Sequence, residues 1–366
     1  MKMDMERLLK PLWQGDTVYH ESFMPVRAPG EALQVPLLYQ PEQVTELWNA
    51  EMTIRYEPGA DYRVEGGRLL IPAQSPITGM TPEEYAPPDF IPGGCFWKRG
   101  GGYLRFSEGA FFHRYQYVVS YRHAERWQGP VPQGQLAWLP HVAGKLRQGQ
   151  PVKVLFYGDS ITTGANSSAV TGIEPYQPDW CQMVMAGLKA RWPKTDFSSV
   201  NTAVGGTVSA WGLAEAEERA AKHRPDLAVI AFGMNDGSLG VTPEAYRDNI
   251  AGIMAAVRRA QPEAEFVLVA TTVPNREALL TNDRPRCPGG DGPELEERGF
   301  YGTHDGLLPA LRQLCGPGAA LADMTGMHHA LLARKAFRDM TGNNVNHPND
   351  FLARVYAQTL LAVLED

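Results

Sequence analysis

From Val152 onward the chain alternates between two kinds of hydrophobic pattern. The segments 152–158 (VKVLFYG), 198–204 (SSVNTAV), 226–233 (DLAVIAFG), 265–272 (EFVLVATT) and 319–324 (AALADM) are short, and most are nearly continuous apolar runs. Strands covered on both faces read this way. Between them lie helical stretches. One is 210–223, with the surface-type run Glu215, Glu217, Glu218 and Arg219. Another is 243–260, where Thr242 ahead of Pro243 offers an N-cap and a first-turn proline. Strand and helix in alternation predict an α/β unit: a doubly wound, flavodoxin-like parallel sheet of five strands with helices on both faces. Ligands of such sheets bind beyond the carboxyl ends of the strands.

The pattern before Val152 is different. Residues 51–71 read as strand, turn, strand, with Pro58-Gly59 and Gly66-Gly67 as the reversals. Residues 103–121 repeat the motif, and Tyr115, Tyr117 and Val119 alternate with Gln116, Val118 and Ser120. The stretch 82–102 between them is rich in Pro and Gly and reads as a long loop. Composition sharpens the contrast, because residues 1–150 hold 31 of the 66 Gly and Pro and 20 of the 35 aromatic residues. We therefore expect a small all-β sandwich, jelly-roll-like, over 1–135 and the α/β unit over 136–366.

Charge and cysteine content narrow the classes. A formal net charge of −7 argues against a nucleic-acid binder. No uncharged apolar run reaches the ~18 residues that span a bilayer, and the opening MKMDMERLLKPLWQGD carries acids and no signal-like apolar run. The expectation is a cytoplasmic protein with no membrane partner. Cys95, Cys181, Cys287 and Cys315 lie far apart without a CxxC, as reduced thiols do.

The candidate chemistry sits where the strand pattern stops. The first strand runs into Gly158-Asp159-Ser160-Ile161-Thr162, the second into Gly205-Gly206-Thr207, and the third into Gly233-Met234-Asn235-Asp236. A serine at a strand end is a helix cap or a nucleophile, and as a nucleophile it needs a base in hydrogen-bond reach. Paired glycines and an asparagine amide supply donors of the kind an oxyanion requires, or simply form turns. Among nine histidines, His347 in TGNNVNHPND is best placed as the base, with Pro348 in the first turn of a helix running to about Leu364. His328 and His329 read as packing residues, and His113 and His123 as structural. His304 beside Asp305 lacks a second ligand cluster, so no metal is expected.

These four segments together resemble the SGNH/GDSL hydrolase superfamily over about residues 150–366. Its blocks supply Ser, Gly, Asn and His in this chain order, matching Ser160, Gly206, Asn235 and His347. The resemblance implies a serine esterase working through an acyl-enzyme. The oxyanion would be held by the Ser160 and Gly206 amides and the Asn235 side chain, with no cofactor. A β-sandwich ahead of such a domain is similar to the two-domain carbohydrate O-acetylesterases, which implies a small or oligosaccharide ester as substrate. A lipase- or thioesterase-like hydrolase and a non-catalytic carbohydrate binder are the alternatives, and a homo-oligomer stays open.

One departure concerns the histidine's partner. The family commonly places Asp three residues before the histidine, where this chain has Asn344. Three arrangements are open: Asn344 or a backbone carbonyl orients His347 in a dyad, Asp350 or Asp339 substitutes, or the site is impaired. The first is expected. Asp159 is expected to brace the turn and is also a candidate for substrate contact, and Trp97, Trp180 and Trp211 are candidates for stacking on sugar faces or for the core. The segment 275–300 is a candidate lid or an inert insertion.

Overall fold

The computed structural model describes residues 4–280 and 299–366. At its centre is a parallel sheet of β1 (Val152–Gly158), β2 (Phe197–Asn201), β3 (Leu227–Ala231), β4 (Glu265–Ala270) and β5 (Ala319–Asp323). The spatial order is β2-β1-β3-β4-β5, the flavodoxin-like arrangement expected from the pattern. Register is tight along β1, with Leu155 opposite Val200 on one side and Tyr157 opposite Ile230 on the other.

The apolar runs are explained by two cores. Alternate residues of a strand point to opposite faces, so Val154 and Phe156 enter one hydrophobic cluster while Leu155 and Tyr157 enter another. The first cluster takes in α1 (Pro140–Gln148) and α2 (Trp180–Arg191). On the second face α3 (Ser209–Ala214) leads to β3, and a short α4 (Met234–Leu239) precedes α5 (Pro243–Ala260) and α6 (His304–Arg312). Beyond β5 lie α7 (Met324–Leu332) and α8 (Asp350–Val363), which return to the first face. Helix α5 begins where the sequence predicts, and the Thr242 hydroxyl accepts from the Ala245 N–H at 3.2 Å. The single helix expected over 210–223 is instead broken into Ser209–Ala214, Ala216–Arg219 and a 3₁₀ turn at Ala221–His223. The break coincides with the Tyr157 hydroxyl, which reaches in from β1 and donates to the Gly212 carbonyl at 2.7 Å.

Residues before α1, joined by one strand from later in the chain, form three small antiparallel sheets of three strands each. In one, Tyr117–Arg122 lies between Thr17–Phe23 and Gln43–Asn49. A second pairs Arg68–Ile71 with Arg63–Glu65 and Leu33–Val35, its hairpin turning through Gly66 and Gly67 at φ of +57° and +71°, as a two-residue turn of this hand requires. The third joins Cys95–Lys98 and Tyr103–Arg105 to Ala278–Leu279, a strand contributed from after β4. The expected long loop over 82–102 therefore contains a short helix, Pro82–Tyr85, and that strand.

The β region and the α/β unit share one core: Phe23, Leu47 and Val119 belong to the same cluster as Leu331, Phe351 and Tyr356. Polar contacts run along the seam. The Lys335 ammonium lies 2.5 Å from a Glu21 carboxylate oxygen, and both side chains are wholly buried. The Tyr121 hydroxyl and the Leu38 N–H also donate to Glu21. Among the described residues no helix is long and apolar enough to cross a membrane. Most of the candidate lid, residues 281–298, lies outside the described residues, as does Cys287.

Candidate active site

Ser160 lies two residues past β1, in a turn closed by the Thr162 and Thr163 N–H groups donating to the Asp159 carbonyl at 3.0 and 3.1 Å. The Thr163 hydroxyl donates to the Ser160 carbonyl at 2.7 Å. Gly158 makes the turn possible. A Cβ there would sit 2.3 Å from the Ala231 carbonyl oxygen and 2.4 Å from the Thr162 hydroxyl, so only hydrogen fits. Ser160 caps no helix; its hydroxyl lies 2.8 Å from Nε2 of His347.

His347 is presented by a loop organised around Asn343. The Asn343 side-chain oxygen accepts from the N–H groups of Val345, Asn346 and His347 at 3.0–3.1 Å. Asn349 caps α8 by accepting from the Leu352 N–H, so Pro348 precedes the helix instead of lying in its first turn. Nδ1 of His347 faces two acceptors: the Asn166 side-chain oxygen at 2.6 Å and a Glu108 carboxylate oxygen at 3.1 Å. The Asn166 amide is fixed in this orientation because its NH₂ donates to the carbonyls of Gly109 and Gly342. With Nδ1 protonated toward these acceptors, Nε2 is free to accept the Ser160 proton.

The other two strand ends flank the serine. A Cβ built on Gly205 would lie 3.6 Å from that of Ser160, and Gly206, at φ +76°, has open space on its Cβ side. Among the described residues no protein acceptor engages the N–H of Ser160 or of Gly206. Asn235 opens α4 and donates to the Thr207 carbonyl at 2.9 Å, tying the end of β3 to that of β2. Asp236 braces the same junction by accepting from the N–H and hydroxyl of Ser209. A serine hydroxyl in contact with an imidazole nitrogen, with free N–H groups at hand, is equipped for acyl transfer.

Several candidates stand elsewhere. Asn344 does not orient His347: its oxygen accepts from the Tyr85 hydroxyl and its NH₂ donates to the Arg105 carbonyl. Asp339 accepts from the N–H groups of Met24 and Ala336, and Asp350 from that of Ser168; neither touches the imidazole. Asp159 is 1 % exposed, which leaves almost no surface for a substrate to touch. One of its oxygens accepts from the Ile161 N–H at 3.0 Å, and the other is buried without a partner. Burial pushes this carboxyl up to about 7, against the opposing pull of the Ile161 N–H and of His347. Trp180 is core: 1 % exposed, donating to the Ile161 carbonyl and packed on Phe156 and Tyr356. Trp211 is half-buried with the Arg219 guanidinium over its ring, and Trp97 packs against Phe90 and Tyr103. His304 is buried and hydrogen-bonded to the Met234 carbonyl, and burial lowers it to about 4.

Sequence reasoning passed over Asn166 and Glu108. They stand 181 and 239 positions from His347, in loops with no local signature. The nearest signal was the Asn344 departure, which left a vacancy for another partner.

Residues 156–354 match the model of the GDSL-like lipase/acylhydrolase family. Esterase TesA of Pseudomonas aeruginosa is 33% identical over 122 residues, 33% of this chain and 56% of that protein. An arylesterase of Vibrio mimicus is 25% identical over 122 residues, with the same shares of each. The chain thus spans about half the length of the curated relatives it matches. Among solved structures, a two-domain esterase active on acetylated mannans has a TM-score of 0.47 at 23% identity, covering 64% of this chain and 54% of its own. Axe2, an acetylxylan esterase from Geobacillus stearothermophilus, has 0.39 at 16% identity, covering 57% and 92%.

Proposed function

The chain belongs to the GDSL-like lipase/acylhydrolase family, whose model matches more than half of it, and we propose that it is a serine esterase removing short acyl groups, foremost acetyl, from carbohydrate esters. The observation that carries the reading is the 2.8 Å contact between the Ser160 hydroxyl and Nε2 of His347 at the carboxyl edge of the sheet.

His347 takes the Ser160 proton on Nε2 as the oxygen attacks the ester carbonyl carbon. The N–H groups of Ser160 and Gly206 and the amide of Asn235 stabilise the negative charge that develops on the carbonyl oxygen. Collapse breaks the ester C–O bond, and the Nε2 proton passes to the departing sugar alcohol. Water then attacks the acyl-serine, giving its proton to Nε2, and the carboxylic acid leaves as Ser160 regains its hydroxyl. The carbohydrate and acetyl part of the proposal rests on architecture: an antiparallel β region precedes the hydrolase unit, as in the two-domain carbohydrate esterases the sequence resembles.

Two measurements test the reading. Ser160→Ala is expected to abolish ester hydrolysis, and near-wild-type turnover in that variant would end the proposal. Rates on acetyl, butyryl and octanoyl esters of one chromophore, with acetate release from acetylated xylo- and manno-oligosaccharides, test the substrate. The acetyl ester is expected to be fastest; preference for octanoyl would instead point to a lipase or thioesterase.

A further inference from the structure

We propose that Glu108, carried by the antiparallel β region, is the carboxylate that positions His347 and balances the charge its ring acquires, so that this region completes the esterase site. The inference rests on the serine-esterase reading above and adds a residue to it.

The family position for an acid holds Asn344, whose amide is committed to Tyr85 and Arg105. The Arg105 contact has its own effect: it pins the end of the strand Tyr103–Arg105, from which the Glu108 loop extends. A second pin is the Asn166 NH₂, which donates to the Gly109 carbonyl at 2.8 Å. A third is the Asn343 NH₂, which donates to Oε1 of Glu108 at 3.1 Å and leaves Oε2 toward Nδ1 of His347, also at 3.1 Å. Three asparagines thus hold an acid from a remote part of the chain against the imidazole. None of them supplies charge.

The division of labour follows from the chemistry. Asn166, at 2.6 Å, fixes the tautomer, but a neutral amide does little to offset a full positive charge on the ring. That charge arises when Nε2 takes the serine proton. Among the described residues, the charged or titratable groups facing the ring are Glu108 from the β region and Asp159 from the end of β1; its own loop and the loop after β1 bring the neutral Asn343, Asn346 and Asn166. Burial raises Glu108, but the hydrogen bond and attraction of His347, with the Asn343 and Asn166 amides, outweigh it and leave the carboxyl below its ordinary value. Glu108 is held in its charged form, and a carboxylate against Nδ1 offsets the positive charge that arises on the ring when Nε2 takes the serine proton. The Glu108 side chain is 52% exposed, so water screens part of the effect.

Glu108→Gln keeps the size and removes the charge. We expect kcat to fall roughly 10- to 100-fold, less than the ~10⁴ of a fully buried acid, with KM within about twofold. The acidic limb of kcat/KM should move to lower pH, because the proton-bound ring loses its partner; Asp159 is present in both proteins, so the difference isolates Glu108. In Glu108→Ala, added formate should restore part of the rate where chloride at equal ionic strength does not. Ser160→Ala is run alongside. If it is inactive while Glu108→Gln keeps the wild-type kcat and pH profile, the positioning role is overturned and the esterase reading survives. If Ser160→Ala remains active, the esterase reading itself has failed.

Discussion

Asp159 and Ser160 are neighbours in sequence, yet the fold treats them in opposite ways. The serine side chain meets an imidazole, whereas the carboxyl is sealed in with one N–H donor and one oxygen unpaired. Its folded value of about 7 lies above the ordinary 3.8, so between those pH values the native state holds a proton that the unfolded chain has released. The contribution of this group to stability is then fully retained below about pH 4 and declines as pH rises toward and through 7, by up to about 4 kcal/mol at saturation. Asp159→Asn removes this dependence. Urea unfolding of both proteins at pH 5 and pH 8 should show the wild type losing stability relative to the variant; parallel curves would contradict it. Local sequence patterns locate only part of the site. Ser160, Gly206, Asn235 and His347 follow strands or precede a helix whose patterns are local, so their segments can be placed at one sheet edge. Asn166 at left-handed φ and Glu108 in a surface loop meet His347 only because of tertiary packing.

At the scale of elements, β1 and β3 approach each other more closely than side chains allow. Gly158 lies opposite Ala231, and any Cβ on it would press against that residue's backbone oxygen, which cannot swing aside as a flexible side chain does. Gly158→Ala is expected to cost about 1–3 kcal/mol in unfolding free energy and to lower esterase turnover by displacing the serine turn. Chemical denaturation and a kinetic assay check the two effects, and an unchanged midpoint would show that the strands can part. The elements also differ in how plainly the sequence announced them. Helix α5 carries its own cap, first-turn proline and apolar stripe, and both ends match the expectation. The stretch 210–223 has comparable helical composition, but the Tyr157 hydroxyl from another element claims a carbonyl within it, and no local pattern records that contact. The Pro- and Gly-rich 82–102 stretch conceals the strand Cys95–Lys98, which pairs locally with Tyr103–Arg105 and on its other edge with Ala278–Leu279 from far along the chain; only the second pairing leaves no local pattern.

In the whole molecule, the seam between the β region and the α/β unit contains a buried ion pair. Glu21 and Lys335 have no exposed side-chain area. Removing one partner strands the other charge away from water. Lys335→Met should therefore cost about 3–5 kcal/mol, whereas Lys335→Met combined with Glu21→Gln should recover much of that loss. Thermal unfolding of the single and double variants measures the difference; equal destabilisation in both would show that the pair's charge is not what matters. Because the same core runs through both parts of the molecule, we expect the loss to lower one shared transition instead of releasing the β region alone.

The three groups that meet at His347 are gathered from across the chain. Ser160 is 187 positions away and Glu108 is 239. Closing loops of that length costs entropy before any contact repays it, and chains dominated by such contacts are slow to organise. A partly folded molecule can possess its sheet, its helices and a correctly turned serine and still have no imidazole beside it. Assembly of the Ser160–His347 pair is therefore expected to come late in folding, and its appearance would report that the long-range seams have closed.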